Sequence, residues 1–163
     1  MFITAYKEKN DEPSNPYKVQ VNIENVIMGD SSFNQIILSN DTLEDKSVLI
    51  SSILNPLDTE NANPEQAVFS FAFTASGDDA DFQRYITARK KALDLYDAVT
   101  LFSCKTPRSN GWEYDTFELI QFPKSENLMQ LMSDERYSSS AEVIESTKIF
   151  GEGVVGEANL KFC

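Results

Sequence analysis

Two periodicities divide this chain. Residues 67–75 place Phe69, Phe71 and Phe73 on one side and Val68, Ser70, Ala72 and Thr74 on the other, the period of two that predicts a strand with one bulky apolar face. Residues 17–28 alternate likewise, with Val19, Val21 and Ile23 opposite Gln20, Asn22 and Glu24, and Gly29-Asp30 predicts a turn into a second short strand over 33–39. After Gly77-Asp78-Asp79 the period lengthens. Phe82, Tyr85, Ile86, Ala92, Leu93 and Tyr96 recur at helical spacing, and the acidic residues suit the positive end of a helix dipole. A second helix is expected from Asp41 to about residue 54, because Asp41 and Glu44 have capping-box spacing, Leu43, Ser47, Ile50 and Leu54 form a stripe, and Pro56 ends it.

Further along, a strand over 98–104 leads through the turn dipeptide Asn110-Gly111 to a strand over 112–122. Residues 124–132 and 134–147 read as a helix broken near Ser133, and 148–155 as a last strand, while the polar, Pro-containing stretches 10–16 and 55–64 read as loops. From Ala67 the order is β-α-β-β-α-β, which predicts an α+β, ferredoxin-like domain over 67–163 with an antiparallel sheet. Residues 1–66 are expected to form a β-β-α extension packing on that domain.

Composition narrows the partners. The chain has 163 residues, 41% of them hydrophobic, so a real core is expected under a net charge of −12. That charge disfavours nucleic acid and anionic membrane surfaces, both of which are bound through clustered Lys and Arg. There is no histidine, which excludes serine triads, histidine-based zinc hydrolysis and histidine-ligated haem. The two cysteines, Cys104 and Cys163, form no CxxC and no disulfide framework, the first residues lack a signal-peptide pattern, and no apolar run approaches the ~20 residues of a membrane span. A cytoplasmic protein without metal or cofactor is the expectation.

Three motifs reduce to structure. Gly151-Glu152-Gly153-Val154-Val155-Gly156 matches G-x-G-x-x-G, but too few residues follow it for a dinucleotide-binding helix, so it reads as a bent terminal strand. Asp78, Asp79 and Asp81 lack the register of a calcium loop and read as a helix cap. Asn40-Asp41-Thr42 is a formal glycosylation sequon without meaning in a reducing compartment. Cys104 reads as a buried apolar filler.

Glu118 stands out. On its expected strand it shares a face with Tyr114, Thr116, Ile120 and Phe122. Covered, that carboxyl would be pushed up and suited to proton transfer; the alternatives are a partly solvated face, or a pairing with a basic residue for which Arg84 and Arg89 are the candidates. Tyr85, Arg89, Trp112 and Tyr137 are the candidate substrate-binding residues beside it.

Gly111-Trp112-Glu113-Tyr114-Asp115, Phe122-Pro123-Lys124-Ser125-Glu126 and Ser133-Asp134-Glu135-Arg136-Tyr137 together resemble small bacterial members of the dimeric α/β-barrel superfamily. Lys124 intervenes before Ser125, and Glu135 replaces the usual Pro, which weakens the expected helix break. The resemblance implies a homodimer formed through open sheet faces and by itself licenses no activity. The enzymatic version of the reading is a cofactor-free oxygenase or isomerase that uses Glu118 as acid or base, and whether the protein catalyses anything is left open. The expected ligand is a small apolar or aromatic molecule held between sheet and helices. The alternative is a non-enzymatic interaction module in which the N-terminal extension covers the sheet.

Overall fold

The structure, a computed structural model, describes residues 1–8, 16–31, 33–146 and 148–163. The loop expected over 10–16 lies, apart from Pro16, outside the described residues. The elements are β1 (Phe2–Tyr6), β2 (Val19–Met28), β3 (Gln35–Ser39), β4 (Val48–Leu49), β5 (Ser52–Asn55), β6 (Ala67–Ala75), α1 (Asp79–Asp94), β7 (Val99–Lys105), β8 (Thr116–Phe122), α2 (Glu126–Met132), α3 (Glu135–Ser138), α4 (Ala141–Ser146) and β9 (Phe150–Phe162). All the strands join one curled antiparallel sheet of nine, in the order β4-β1-β3-β2-β9-β6-β8-β7-β5. The protein is mostly β.

This corrects the expected fold. A ferredoxin-like domain of the dimeric α/β-barrel type needs its own sheet and two helices packed along it, and neither condition is met. The sheet does not end at the domain boundary, because β9 runs on to Phe162 and pairs with β2 from Val19↔Phe162 to Met28↔Val155, which joins the N-terminal strands to the rest. The second helix is three pieces, α2, α3 and α4, of 7, 4 and 6 residues. Side-chain bonds to backbone mark the breaks: Asp134 Oδ1 accepts the N–H of Arg136 at the start of α3, and after α3 the hydroxyls of Ser139 and Ser140 donate to Glu135 O and Tyr137 O, competing with helical hydrogen bonds.

The expected helix over 41–54 is also absent, and this segment matters most to the architecture. Val48 and Ile50 are buried while Leu49 and Ser51 are exposed, the alternation of a strand, and branched side chains suit that conformation. Ser47 Oγ accepts the backbone N–H groups of Leu43 (3.0 Å) and Glu44 (3.2 Å) and lies 2.8 Å from Thr4 Oγ1, anchoring the loop to β1. The segment then serves both margins of the sheet. β4 pairs with β1 (Ile3↔Val48), Ile50 N–H donates to Met1 O, Ser51 N–H donates to Lys105 O, and β5 pairs with β7 (Ile53↔Cys104). One stretch of chain therefore bridges the two edges of the curled sheet.

Two cores result. The inner face of the curl is filled by Ile3, Val19, Val21, Ile36, Leu38, Val48, Val68, Leu101, Phe102, Cys104, Trp112, Phe117 and Leu119. The outer core lies between β6, β8 and β9 and the helices, and holds Phe69, Leu93, Ile120, Phe122, Leu128, Leu131 and Val155. Burying each such side chain contributes roughly 1.5–3 kcal/mol. The alternation expected over 67–75 is present in β6, with Val68 and Ala72 in the inner core and Phe69, Phe71 and Phe73 toward the helices.

The glycine motif is part of the sheet. A Cβ on Gly153 would stand 2.2 Å from the Phe73 ring and one on Gly156 2.8 Å from Ile23, so these glycines let neighbouring strands carry large side chains.

Candidate functional site

α1 is held locally. Asp78 and Asp81 form a capping box, each carboxylate accepting the other's backbone N–H, as the acidic cluster predicts. From this fixed start, Phe82, Arg89 and Leu93 fall on the buried stripe, with Tyr85 half-buried beside them. An arginine thus occupies a core position. β8 supplies its partner: Glu118, Ile120 and Phe122 point to the helix side, and Phe117 and Leu119 to the inner core.

Arg89 and Glu118 form a bidentate ion pair. Nη1 donates to Oε1 at 2.7 Å, Nη2 donates to Oε2, and the side chains are only 7% and 4% exposed. The planar guanidinium matches the two carboxylate oxygens, which is why arginine suits this position better than lysine. Burial alone would push the guanidinium down, but the adjacent carboxylate outweighs it and the net shift is upward. Arg89 Nε is buried without a hydrogen-bond partner, and the guanidinium carbon sits 5.3 Å from the centre of the Tyr85 ring. Burial pushes the Tyr85 hydroxyl well above its ordinary value, so it stays protonated.

The pair stands in the wall of an aromatic cavity of about 420 Å³, bounded by Phe71, Phe73, Tyr85, Phe122, Tyr137 and Phe150, by Leu and Val side chains, and by Met28 and Met132. The rings support one another: the centroids of Tyr85 and Phe150 are 4.7 Å apart, those of Phe73 and Phe150 6.0 Å, and Phe71 and Phe73 stack at 6.4 Å. Tyr96 Oη donates to Asp134 Oδ2 at 2.8 Å, tying the end of α1 to the α2–α3 junction.

The structure brings four of the five expected site residues together, since Glu118, Arg89, Tyr85 and Tyr137 all line this cavity. Trp112 lies elsewhere. β8 begins at Thr116, and residues 109–112 form a tight turn closed by Ser109 and Trp112 through Asn110 (φ 52°) and Gly111 (φ 84°), so strand alternation does not extend back to it. Trp112 packs on Phe33 and Tyr114 in the inner core, and its indole N–H donates to Thr106 Oγ1 at 2.7 Å. Arg84 is exposed and pairs with Asp81. Cys104 is buried in the inner core, where burial pushes its thiol up and away from reactivity. Phe150 and, from α4, Val143 and Ser146 are site components that the sequence reading misses.

Among the described residues no cluster of side chains suited to a metal ion is present, and no helix is long and apolar enough to cross a membrane. Comparison with protein-family models, with curated proteins and with solved structures gives no match to this chain.

Proposed function

We propose that this protein binds a small aromatic molecule in the cavity between the sheet and the helices. The observation that carries this reading is the aromatic cavity of about 420 Å³ with one buried ion pair in its wall. Concave, mostly apolar sites with a few polar groups are where small ligands bind, and this volume suits a fused bicyclic ring. Binding is favoured over acid–base catalysis because Arg89 occupies both oxygens of Glu118, so a reactant would have to compete with the guanidinium for them. We further place the protein in the cytoplasm, a reading supported by its two unpaired thiols.

The test uses the neutral, polarity-sensitive fluorophore prodan. The full chain is expected to bind it with a blue-shifted emission, and Val143→Trp, which fills the cavity from α4, is expected to abolish that signal without unfolding the protein. An unchanged signal in Val143→Trp would show that the probe binds elsewhere and would remove this reading.

A further inference from the structure

We infer, on the footing of that binding reading, that the Arg89–Glu118 pair sets the charge selectivity of the cavity: neutral aromatic molecules are admitted, their carboxylates are rejected, and Glu118 is the residue that decides between them. Among the described residues, Arg89 and Glu118 are the only ones lining the cavity that carry a full charge, and at bidentate contact their charges cancel. A neutral ring therefore meets apolar walls and loses no solvation of charge. A carboxylate has two options. If it takes the Arg89 guanidinium it displaces Glu118, whose side chain is 4% exposed and is then an unpaired buried anion. If it does not, it is itself the unpaired anion. Either way one negative charge is left in an apolar site without a partner, which is strongly unfavourable. Two further cations, Lys91 and Arg136, line an adjoining hollow of about 260 Å³, and Arg136 is already held by Asp134 through Nε (3.1 Å) and Nη2 (2.7 Å).

Replacing Glu118 by Gln nearly preserves its shape and leaves an amide oxygen to accept from Arg89, but removes the negative charge. The guanidinium is then uncompensated, and the same cavity becomes a site for an aromatic carboxylate.

The experiment is calorimetric titration of the full chain with acetylnaphthalene and with the naphthoate of the same ring position, two probes of similar shape and different charge. Wild type is expected to bind the ketone at least about tenfold more tightly than the carboxylate, and Glu118→Gln to reverse that order by about tenfold. The double variant Arg89→Met with Glu118→Leu keeps the ketone and gains no naphthoate, which separates charge from shape. Equal affinities in wild type, or tighter naphthoate binding, would overturn the inference while leaving the binding reading standing, and would move the anion's partner to Lys91 and Arg136. Failure of folded wild type to bind either probe would overturn both. A folded Glu118→Gln that still prefers the ketone would likewise overturn the inference. Should that variant fail to fold, Arg89→Gln, which leaves the Glu118 carboxylate uncompensated, is expected to gain the ammonium probe naphthylmethylamine by about tenfold over wild type, and no gain would overturn it.

Discussion

Removing the Glu118 carboxylate alone should cost this protein a large part of its stability, and removing both partners together should cost little. In Glu118→Leu the guanidinium stays in a site that leaves 7% of it exposed, with neither of its two hydrogen bonds to the carboxylate. Because both side chains are buried, screening by solvent reduces this little, and breaking such a pair on one side costs about 3–5 kcal/mol. For a chain of this size each kcal/mol moves the melting temperature by about 2–4 °C, so a fall of roughly 6–20 °C is expected. The Arg89→Met, Glu118→Leu double variant replaces the pair with apolar groups of similar size and should lie within about 1–2 kcal/mol of wild type, since well-packed apolar replacements of buried pairs are close to neutral. Urea unfolding of the four proteins in the cycle measures the coupling. A loss below about 1 kcal/mol for Glu118→Leu, or a double variant as unstable as the sum of the singles, would refute the reasoning, because it would mean that water reaches the guanidinium.

Alkaline titration followed by tyrosinate absorbance should show two strongly delayed hydroxyls, those of Tyr6 and Tyr85, beside smaller upward shifts at Tyr96 and Tyr114. Tyr6 is pushed up to about 12, first by burial and then by Glu44, so the protonated form is favoured by folding; its contribution is intact below about pH 10 and is lost as the pH rises through about 12. Tyr85 is raised further by burial, and Tyr85→Phe should delete the later step and leave that of Tyr6. Ser51→Pro removes the N–H that donates to Lys105 O and should cost about 1–3 kcal/mol, with faster hydrogen exchange in β7; unchanged exchange there would deny the segment its bridging role. Gly153→Ala, whose Cβ would stand 2.2 Å from the Phe73 ring, should destabilise by about 1–3 kcal/mol and distort the cavity wall, with weaker prodan binding as the readout.

What could be read from residues alone was what depends on near neighbours in the chain. The alternation of Phe69, Phe71 and Phe73 places β6, Asp78 and Asp81 place the start of α1, and Asn110-Gly111 places a turn. Residues 41–54 show the limit of local signals. Their cap spacing and apolar stripe suit a helix, but pairing with β1 and β7, partners about fifty residues away in sequence, overrides them. The β2–β9 pairing joins the two ends of the chain and has no local signature, and without it the C-terminal strands resemble a separate domain. The site was half legible. Glu118 is conspicuous as a carboxylate on an apolar strand face, and position 89 falls on the same stripe as Phe82 and Leu93, which marks its arginine as buried and in need of an anion. Trp112 was misplaced because alternation was carried across the turn that ends before Thr116.

The segment over 48–55 has a bearing on how this protein meets other chains. Sheets recruit foreign strands through rows of free backbone donors and acceptors at their margins. Here the margin at Phe2 and Ile3 and the margin at Ser103 to Lys105 are both taken by that one tethered stretch. An invading strand would have to outcompete a covalently attached rival whose effective concentration is on the order of millimolar. Strand exchange along these two margins is suppressed, and what the bridging segment offers outward instead is the side chains of Leu49 and Ile53, 57% and 45% exposed.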